Sequence, residues 1–95
     1  MPKGYWIARV DVRDMTGYME YIANATPVLE RFGANFLTLP GAVDTAEGPA
    51  RERNVVIEFA SLTDARDCFN SPEYRRAASI RQQASYGEFV VVEGV

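Results

Sequence analysis

An alternating apolar pattern at residues 4–12 places the strongest constraint on the fold of this chain. One side of the segment carries Trp6, Ala8, Val10 and Val12, and the other side carries Tyr5, Ile7, Arg9 and Asp11. A period of two residues is typical of a β-strand. Residues 51–60 and 88–93 are rich in β-branched and aromatic side chains, which favours two further strands. The chain is therefore expected to build its core around a sheet.

A helical pattern follows the first strand. Its apolar residues recur at spacings of three and four, as on one face of a helix: Tyr18, Ile22, Ala25, Leu29 and Phe32. Asp14 or Thr16 is the expected N-cap, and Gly33 the expected stop. Pro27 lies inside the pattern and predicts a kink or a second helix start, because it removes one backbone hydrogen bond.

A second helical region, broken into two pieces, follows residues 51–60. Ser61 is the expected N-cap of the first piece. Ser71 and Pro72 then restart the helix, since serine caps well and proline suits the first helical position. Cys68 lies on the apolar face of the first piece. We interpret it as a core residue rather than a reactive thiol, because no cationic neighbour stands out.

The order of these elements indicates one domain over residues 1–95. Residues 35–39 are expected to form the second strand, with a break at Pro40-Gly41 and residues 42–47 as a candidate continuation. The β-α-β-β-α-β order predicts an α+β, ferredoxin-like fold. Its four-stranded antiparallel sheet has the order 4-1-3-2, both helices lie on one face, and the second helix is broken.

The strands carry apolar side chains on both faces of the sheet, with Trp6, Ala8 and Val10 on one face of β1 and Tyr5 and Ile7 on the other, and with Val56, Val90 and Val92 adding to the second set on β3 and β4. The helices can cover only one face, so the uncovered face is expected to be apolar. Such a face needs a partner, and a second copy of the chain packed face to face supplies one most simply. We therefore expect a homodimer.

Several segments also resemble one known family. The strings GYWIARVDV, RFGANFL, RNVVIEF, SPEY and VVVEGV, with Glu47-Gly48, are similar in order and spacing to the family catalogued as domain of unknown function 1330. The resemblance covers nearly the whole chain and implies the dimeric α/β-barrel superfamily. It implies the ferredoxin-like fold, a dimer, and a cavity between sheet and helices of the kind that several superfamily relatives use. It implies no particular reaction.

The composition limits the chemistry. The 95 residues include no histidine and one cysteine, which removes histidine-based acid–base catalysis and histidine ligation of zinc or haem. We therefore expect no metal and no cofactor. The net charge is −3 and no basic patch stands out, which disfavours a nucleic-acid partner. No apolar run is long enough to span a membrane or serve as a signal peptide, so a cytoplasmic location without a membrane partner is expected.

Arg9 and Glu58 are the most conspicuous charged residues, since each lies in the middle of a predicted strand. Their strands are neighbours in the predicted order, so we expect them to face the same side and to pair, because an unpaired buried carboxylate is costly. The favoured interpretation is a structural ion pair that fixes strand register and the dimer. In the alternative, Arg9 binds a carboxylate or enolate and Glu58 acts as a base.

Three residues on the helices complete the candidate binding residues. Arg81 lies on an otherwise apolar helical face, where it either reaches an anionic ligand or extends its charge to water. Tyr18 and Tyr74 are expected to point toward the sheet, where they offer hydroxyl groups to a ligand or simply pack.

The sequence as a whole indicates a small cytoplasmic homodimer with a small-molecule cavity between sheet and helices. The expected ligand is an organic acid or a ketone, and the candidate lining residues are Arg9, Tyr18, Glu58, Tyr74 and Arg81. No catalytic residue is assigned. The alternative is a non-catalytic ligand-binding or accessory dimer whose polar strand residues are structural.

Overall fold

The computed structural model describes residues 2–38 and 40–95, and its elements follow the predicted order. The elements are β1 Gly4–Val12, α1 Met15–Arg31, β2 Asn35–Phe36, β3 Arg53–Phe59, α2 Leu62–Asn70, α3 Pro72–Ala84 and β4 Ser85–Glu93. All strand pairs are antiparallel and the sheet order is β2-β3-β1-β4, which confirms the predicted 4-1-3-2 arrangement. Among the described residues, no helix has the length and apolar character needed to cross a membrane.

The central strand β1 determines which side chains enter the core. Trp6 lies opposite Ile57 on β3 and Val91 on β4. Because side chains alternate along a strand, Trp6, Ala8 and Val10 all point toward the helices, and all three are almost completely buried. The residues between them point to the opposite side of the sheet, which we call the helix-free face.

The first helix is continuous from Met15 to Arg31. The Asp14 carboxylate accepts a hydrogen bond from the Gly17 backbone N–H, which confirms Asp14 as the N-cap. The predicted second start at Pro27 is wrong, because one lost backbone hydrogen bond costs less than the packing of a long apolar helix face gains. Gly33 ends the turn with a φ of 71°, a left-handed conformation that favours glycine.

The predicted break in the second helix is confirmed. The Ser61 hydroxyl accepts a hydrogen bond from the Asp64 backbone N–H at 3.1 Å and caps α2. The Ser71 hydroxyl accepts one from the Tyr74 backbone N–H at 3.2 Å and caps α3. Pro72 occupies the first position of α3, where its missing N–H leaves no bond unmade.

Two strands begin at positions that differ from the prediction. β3 begins at Arg53 rather than at residue 51, and β4 begins at Ser85 rather than at residue 88. β4 is longer than expected because it pairs with β1 all the way to Val12, directly after α3 ends.

The segment between β2 and β3 also differs from the prediction. β2 ends at Phe36, residues 42–47 form no strand, and Leu39 lies outside the described residues. The predicted continuation over residues 42–47 is therefore wrong. Side chains rather than a strand ladder hold the end of this segment, since Arg51 donates to the Asp11 carboxylate at 2.9 Å and to the Glu88 carboxylate at 2.8 Å.

Trp6 is the centre of the core, where the helices meet the sheet. Its indole N–H donates to the Ala65 carbonyl oxygen at 2.9 Å. Its ring packs against Phe59, Phe69 and Tyr74 with centroid separations of 4.8–5.3 Å. An aromatic cluster of this kind buries much apolar surface and fixes α2 and α3 against β1.

The helix-free face is apolar, as the sequence predicts. Val90 lies opposite Ile7, and Val92 lies opposite Tyr5. Ile7, Val90 and Val92 are among the exposed apolar residues of the described structure, with Val90 at 49% exposure and Ile7 at 38%. Val56 lies opposite Ile7 on the other side of β1 and extends the same patch.

Candidate ligand-binding cavity

A cavity of about 220 Å³ lies between α1 and the sheet. Its lining is mostly apolar: Ala8, Val10, Tyr18, Tyr21, Ile22, Ala25, Thr26, Leu29, Phe36, Thr38, Pro40, Arg53, Val55, Ile57 and Phe89. An apolar cavity of roughly 150 Å³ holds benzene, and pockets for drug-sized ligands begin near roughly 300 Å³. The cavity therefore suits a ligand with one ring or a short chain.

Small side chains create this space. Ala8 on β1 and Ala25 on α1 both line the cavity and both are buried. Alanine reaches less far from the backbone than its larger neighbours Tyr21 and Leu29 on the same helix face. The space thus lies where the helix and the sheet each present a methyl group.

The cavity opens beside the short strand β2. Phe36, Thr38 and Pro40 line it and are exposed to solvent, whereas the lining residues of β1 are buried. The open side therefore lies at the edge of the sheet, where β2 has only two residues.

Most polar groups in the lining already have partners. The Thr26 hydroxyl donates to the Ile22 carbonyl oxygen at 2.7 Å. The Thr38 hydroxyl donates to the Asn54 carbonyl oxygen at 3.2 Å and accepts from the Val56 backbone N–H at 3.0 Å. The side chains of Tyr18 and Arg53 remain available to a ligand.

Tyr18 and Arg53 are the two polar side chains of the lining that no hydrogen bond to the described residues engages. The Arg53 guanidinium lies over the Tyr18 ring, 5.0 Å from its centroid. Burial raises the pKa of the Tyr18 hydroxyl, while Arg53 and Arg81 act in the opposite direction. The hydroxyl is therefore protonated at neutral pH and able to donate a hydrogen bond.

The lining residue Tyr21 forms a polar cluster with Tyr74 and Arg81, which lie behind the cavity wall. The hydroxyls of Tyr21 and Tyr74 are 2.8 Å apart and share a buried hydrogen bond. Burial raises the pKa of both groups, that of Tyr21 most strongly, so both remain protonated. The Arg81 guanidinium lies 4.0 Å from the centre of the Phe89 ring and 5.7 Å from that of Tyr21.

The structure places only one of the five predicted binding residues in the lining of this cavity. Tyr18 lines it directly. Tyr74 and Arg81 lie one layer behind, in contact with the lining residues Tyr21 and Phe89. The expectation that the charge of Arg81 extends to water does not hold, because the side chain is only 8% exposed.

Arg9 and Glu58 lie on the helix-free face, away from the cavity, and the predicted ion pair between them is wrong. Both face the same side of the sheet, but Arg9 lies opposite Asn54 whereas Glu58 lies opposite Tyr5. Four residues along β1 separate the two positions, which is about 13 Å at the rise of a strand. The strand register therefore keeps the two charges apart.

Each of the two charged residues has other partners. Arg9 donates to the Asn54 side-chain oxygen at 2.9 Å and to the Pro49 carbonyl oxygen at 2.8 Å. Glu58 accepts a hydrogen bond from the Tyr5 hydroxyl at 3.3 Å, and its other oxygen lies 3.9 Å from the Lys3 ammonium. Arg9 also borders an open depression on the helix-free face, formed with Asn54 and residues 43–47.

Arg53 lines the cavity but was not among the predicted binding residues. The residue lies opposite Val10, so it shares the helix-facing side of β3 with Val55 and Ile57. The alternation of β3 carries this information, but the predicted strand began two residues too early and placed no emphasis on its first charged residues. No group of histidine, cysteine or acidic residues in the described parts of the chain is arranged to hold a metal ion.

The fold resembles several solved structures. A protein of unknown function from Rhodopseudomonas palustris is 18% identical with a TM-score of 0.79, covering 99% of this chain and 83% of that chain. SnoaB from Streptomyces nogalater, described as a cofactor-independent oxygenase, is 11% identical with a TM-score of 0.64, covering 97% and 92%. A dimeric ferredoxin-like protein of unknown function from Thermobifida fusca is 16% identical with a TM-score of 0.63, covering 99% and 92%. At these identities the likeness shows the fold alone, which is the ferredoxin-like α+β class.

The family follows from the sequence itself. The profile of the family described as Domain of unknown function (DUF1330) matches residues 3–95. The chain therefore belongs to this family, and the resemblance noted in the sequence is confirmed. No curated protein sequence matches the chain.

Proposed function

We propose that this chain forms a homodimer that binds a small organic acid or ketone in the cavity between α1 and the sheet. The observation that carries the proposal is the cavity itself, an apolar space of about 220 Å³ with two free polar groups, Tyr18 and Arg53, in its lining. Ligand pockets commonly combine a largely apolar wall with a few polar groups that orient the ligand.

The lining favours binding over side-chain catalysis. The described residues that line the cavity include no histidine, aspartate or glutamate, so none of them offers an ordinary general base. Tyr18 has a raised pKa and remains protonated, which suits a hydrogen-bond donor better than a base. The geometry therefore favours the non-catalytic alternative, in which the dimer binds the ligand without transforming it.

The homodimer part of the proposal rests on the helix-free face. Ile7, Val56, Val90 and Val92 form a contiguous apolar patch there, and such a patch is commonly covered by a partner. The ferredoxin-like protein from Thermobifida fusca is described as dimeric, which supports the same arrangement in this chain. Two identical sheets packed face to face would bury the patch on both copies.

The dimer is tested by placing a charge in the patch. Val90→Asp is expected to give monomers in multi-angle light scattering, because a carboxylate at the interface centre would be desolvated without a partner. Met19→Asp is the matched control, since Met19 is also an exposed apolar residue but lies on α1. A dimer that survives Val90→Asp, or a monomeric unmodified protein, would contradict this part of the proposal.

The cavity is tested by thermal shift with phenylacetate and acetophenone as probes. Each probe is expected to raise the melting temperature, because a ligand that binds only the native state stabilises it. Ala25→Leu should abolish the shift by filling the cavity. Ala23→Leu makes the same change on the exposed side of α1 and should leave the shift intact. Equal shifts in both variants would show that the probes bind elsewhere.

A further inference from the structure

Two arginine side chains beside the cavity have no acidic partner among the described residues. The Arg53 guanidinium lies over the ring of Tyr18, and the Arg81 guanidinium lies over the ring of Phe89. Tyr18 and Phe89 are both cavity-lining residues, and no lining residue is acidic. Within the described residues, neither guanidinium lies within 4.0 Å of a carboxylate oxygen. The cavity therefore has positive charge at its wall and none of the opposite sign.

Arg51 illustrates the opposite case, an arginine that is paired with carboxylates. Arg51, near the helix-free face, is held between the carboxylates of Asp11 and Glu88 at 2.9 and 2.8 Å. The chain has 13 acidic residues and 10 basic ones, so carboxylates are in excess overall. Their absence from the cavity is a local feature rather than a consequence of composition.

Arg81 makes the unpaired charge costly to the protein. The residue is 92% buried, being 8% exposed, and its Nε atom has no hydrogen-bond partner among the described residues. A buried charge normally requires a partner of opposite sign. Contact with the Phe89 ring offsets part of the cost through the cation–π interaction. An anion in the cavity would supply the missing charge.

We propose that the ligand of this cavity is a small carboxylate whose anionic group is bound by Arg53. The guanidinium of Arg53 offers paired N–H donors that match the two oxygens of a carboxylate, and the Tyr18 hydroxyl beside it offers a further donor. Arg81 acts as a positioning residue behind the Phe89 wall, where its charge favours an anion over a neutral molecule. This inference rests on the proposed function, which names an organic acid or a ketone as the ligand. It specifies that the ligand is the acid, bound as its carboxylate.

The test compares matched acids and amides of nearly equal shape. Benzoate with benzamide and phenylacetate with phenylacetamide are titrated into the unmodified protein by calorimetry at pH 7. The acids are expected to bind about tenfold or more tightly than the amides, since hydrogen bonds to a charged group are the stronger kind. The amides carry the same apolar body, so their affinity reports the cavity alone.

Variants then assign the preference to residues. Arg53→Gln is expected to reduce the preference for the acids to about twofold or less, while the amides keep their affinity. Arg81→Met should reduce the preference severalfold, and Arg81→Lys should retain it, because the lysine keeps the charge. Arg76→Gln removes an exposed arginine of α3 and is the control for net charge. Amide affinity in each variant shows whether the cavity has kept its shape.

The outcomes separate this inference from the one on which it rests. Acids and amides that bind the unmodified protein equally would overturn the inference and leave the cavity proposal in place. A preference that Arg76→Gln removes as strongly as Arg53→Gln would also overturn it, since net charge would then be the cause. A protein that binds none of the four probes would contradict the proposed function together with the inference.

Discussion

Filling the cavity from Ala25 should stabilise the protein, which is the reverse of what enlarging a core residue normally does. Ala25 is buried and lines the cavity, so the three carbons added by Ala25→Leu enter empty space. At about 0.8 kcal/mol for each buried carbon, the upper limit is about 2.4 kcal/mol, and imperfect fit reduces the expected gain to about 1–2 kcal/mol. For a domain of this size that corresponds to a rise of about 4–16 °C in melting temperature.

The same substitution at a packed position provides the contrast. Ala78 on α3 is completely buried and does not line the cavity. Ala78→Leu should therefore lower the free energy of unfolding by about 1–3 kcal/mol through overpacking. Ala23→Leu, on the exposed side of α1, should change it by less than about 0.5 kcal/mol.

The assay is urea denaturation of all four proteins at one protein concentration, since a dimer's stability depends on concentration. The unfolding midpoint of Ala25→Leu should rise and that of Ala78→Leu should fall, with slopes close to that of the unmodified protein. Equal destabilisation by Ala25→Leu and Ala78→Leu would contradict this expectation, because it would mean that the space beside Ala25 is already filled.

Three further predictions concern the polar groups of the core. Tyr21→Phe and Tyr74→Phe should each lower the free energy of unfolding by about 1–2 kcal/mol. The double variant should lose little more than either single variant, because removing both partners leaves no buried hydroxyl unsatisfied. Additive losses in a double-mutant cycle would contradict this. Because the pKa values of Tyr21 and Tyr74 are raised, the stability they contribute is fully present below about pH 10, where an unfolded tyrosine titrates, and is lost as the pH rises above it. The denaturation midpoint should fall less steeply with pH in the double variant. The same pH dependence in the double variant and the unmodified protein would contradict the assignment of this decline to the two tyrosines. Burial raises the pKa of the Cys68 thiol to about 12. Ellman's reagent at pH 8 should therefore react with the native protein far more slowly than with the unfolded chain. Equal rates would contradict this, because they would show that the thiol is accessible.

Much of the fold is predictable because local signals agree with one another. The alternation in β1, the caps at Asp14, Ser61 and Ser71, and the stop at Gly33 each satisfy backbone geometry within a few residues. Together they leave few ways to arrange four strands and two helical regions. The sheet order followed from the element order for the same reason.

The interactions that depend on register or on the packing of distant elements were not predictable in the same way. Arg9 and Glu58 lie on adjacent strands and on one face, yet a register set by seven residue pairs between β1 and β3 keeps them apart. Residues 42–47 were expected as a candidate continuation of β2, but no neighbouring strand pairs with them.

The cavity illustrates the same limit for the candidate site. Ala8 and Ala25 are unremarkable in the sequence, and their effect appears only when α1 is placed on the sheet. Arg53 becomes a candidate ligand-binding residue only because its strand position turns it toward Tyr18. The shape of the cavity and the unpaired charge beside it thus depend on tertiary structure, whereas the order of helices and strands follows from local sequence patterns.

A crystal structure of the protein with phenylacetate would show directly whether the cavity binds a carboxylate through Arg53. We expect the ring to lie between α1 and the sheet, beside Ala8 and Ala25, with the carboxylate within about 3.2 Å of the Arg53 guanidinium. A ring bound outside that cavity, or a carboxylate directed to Arg9 on the helix-free face, would contradict it.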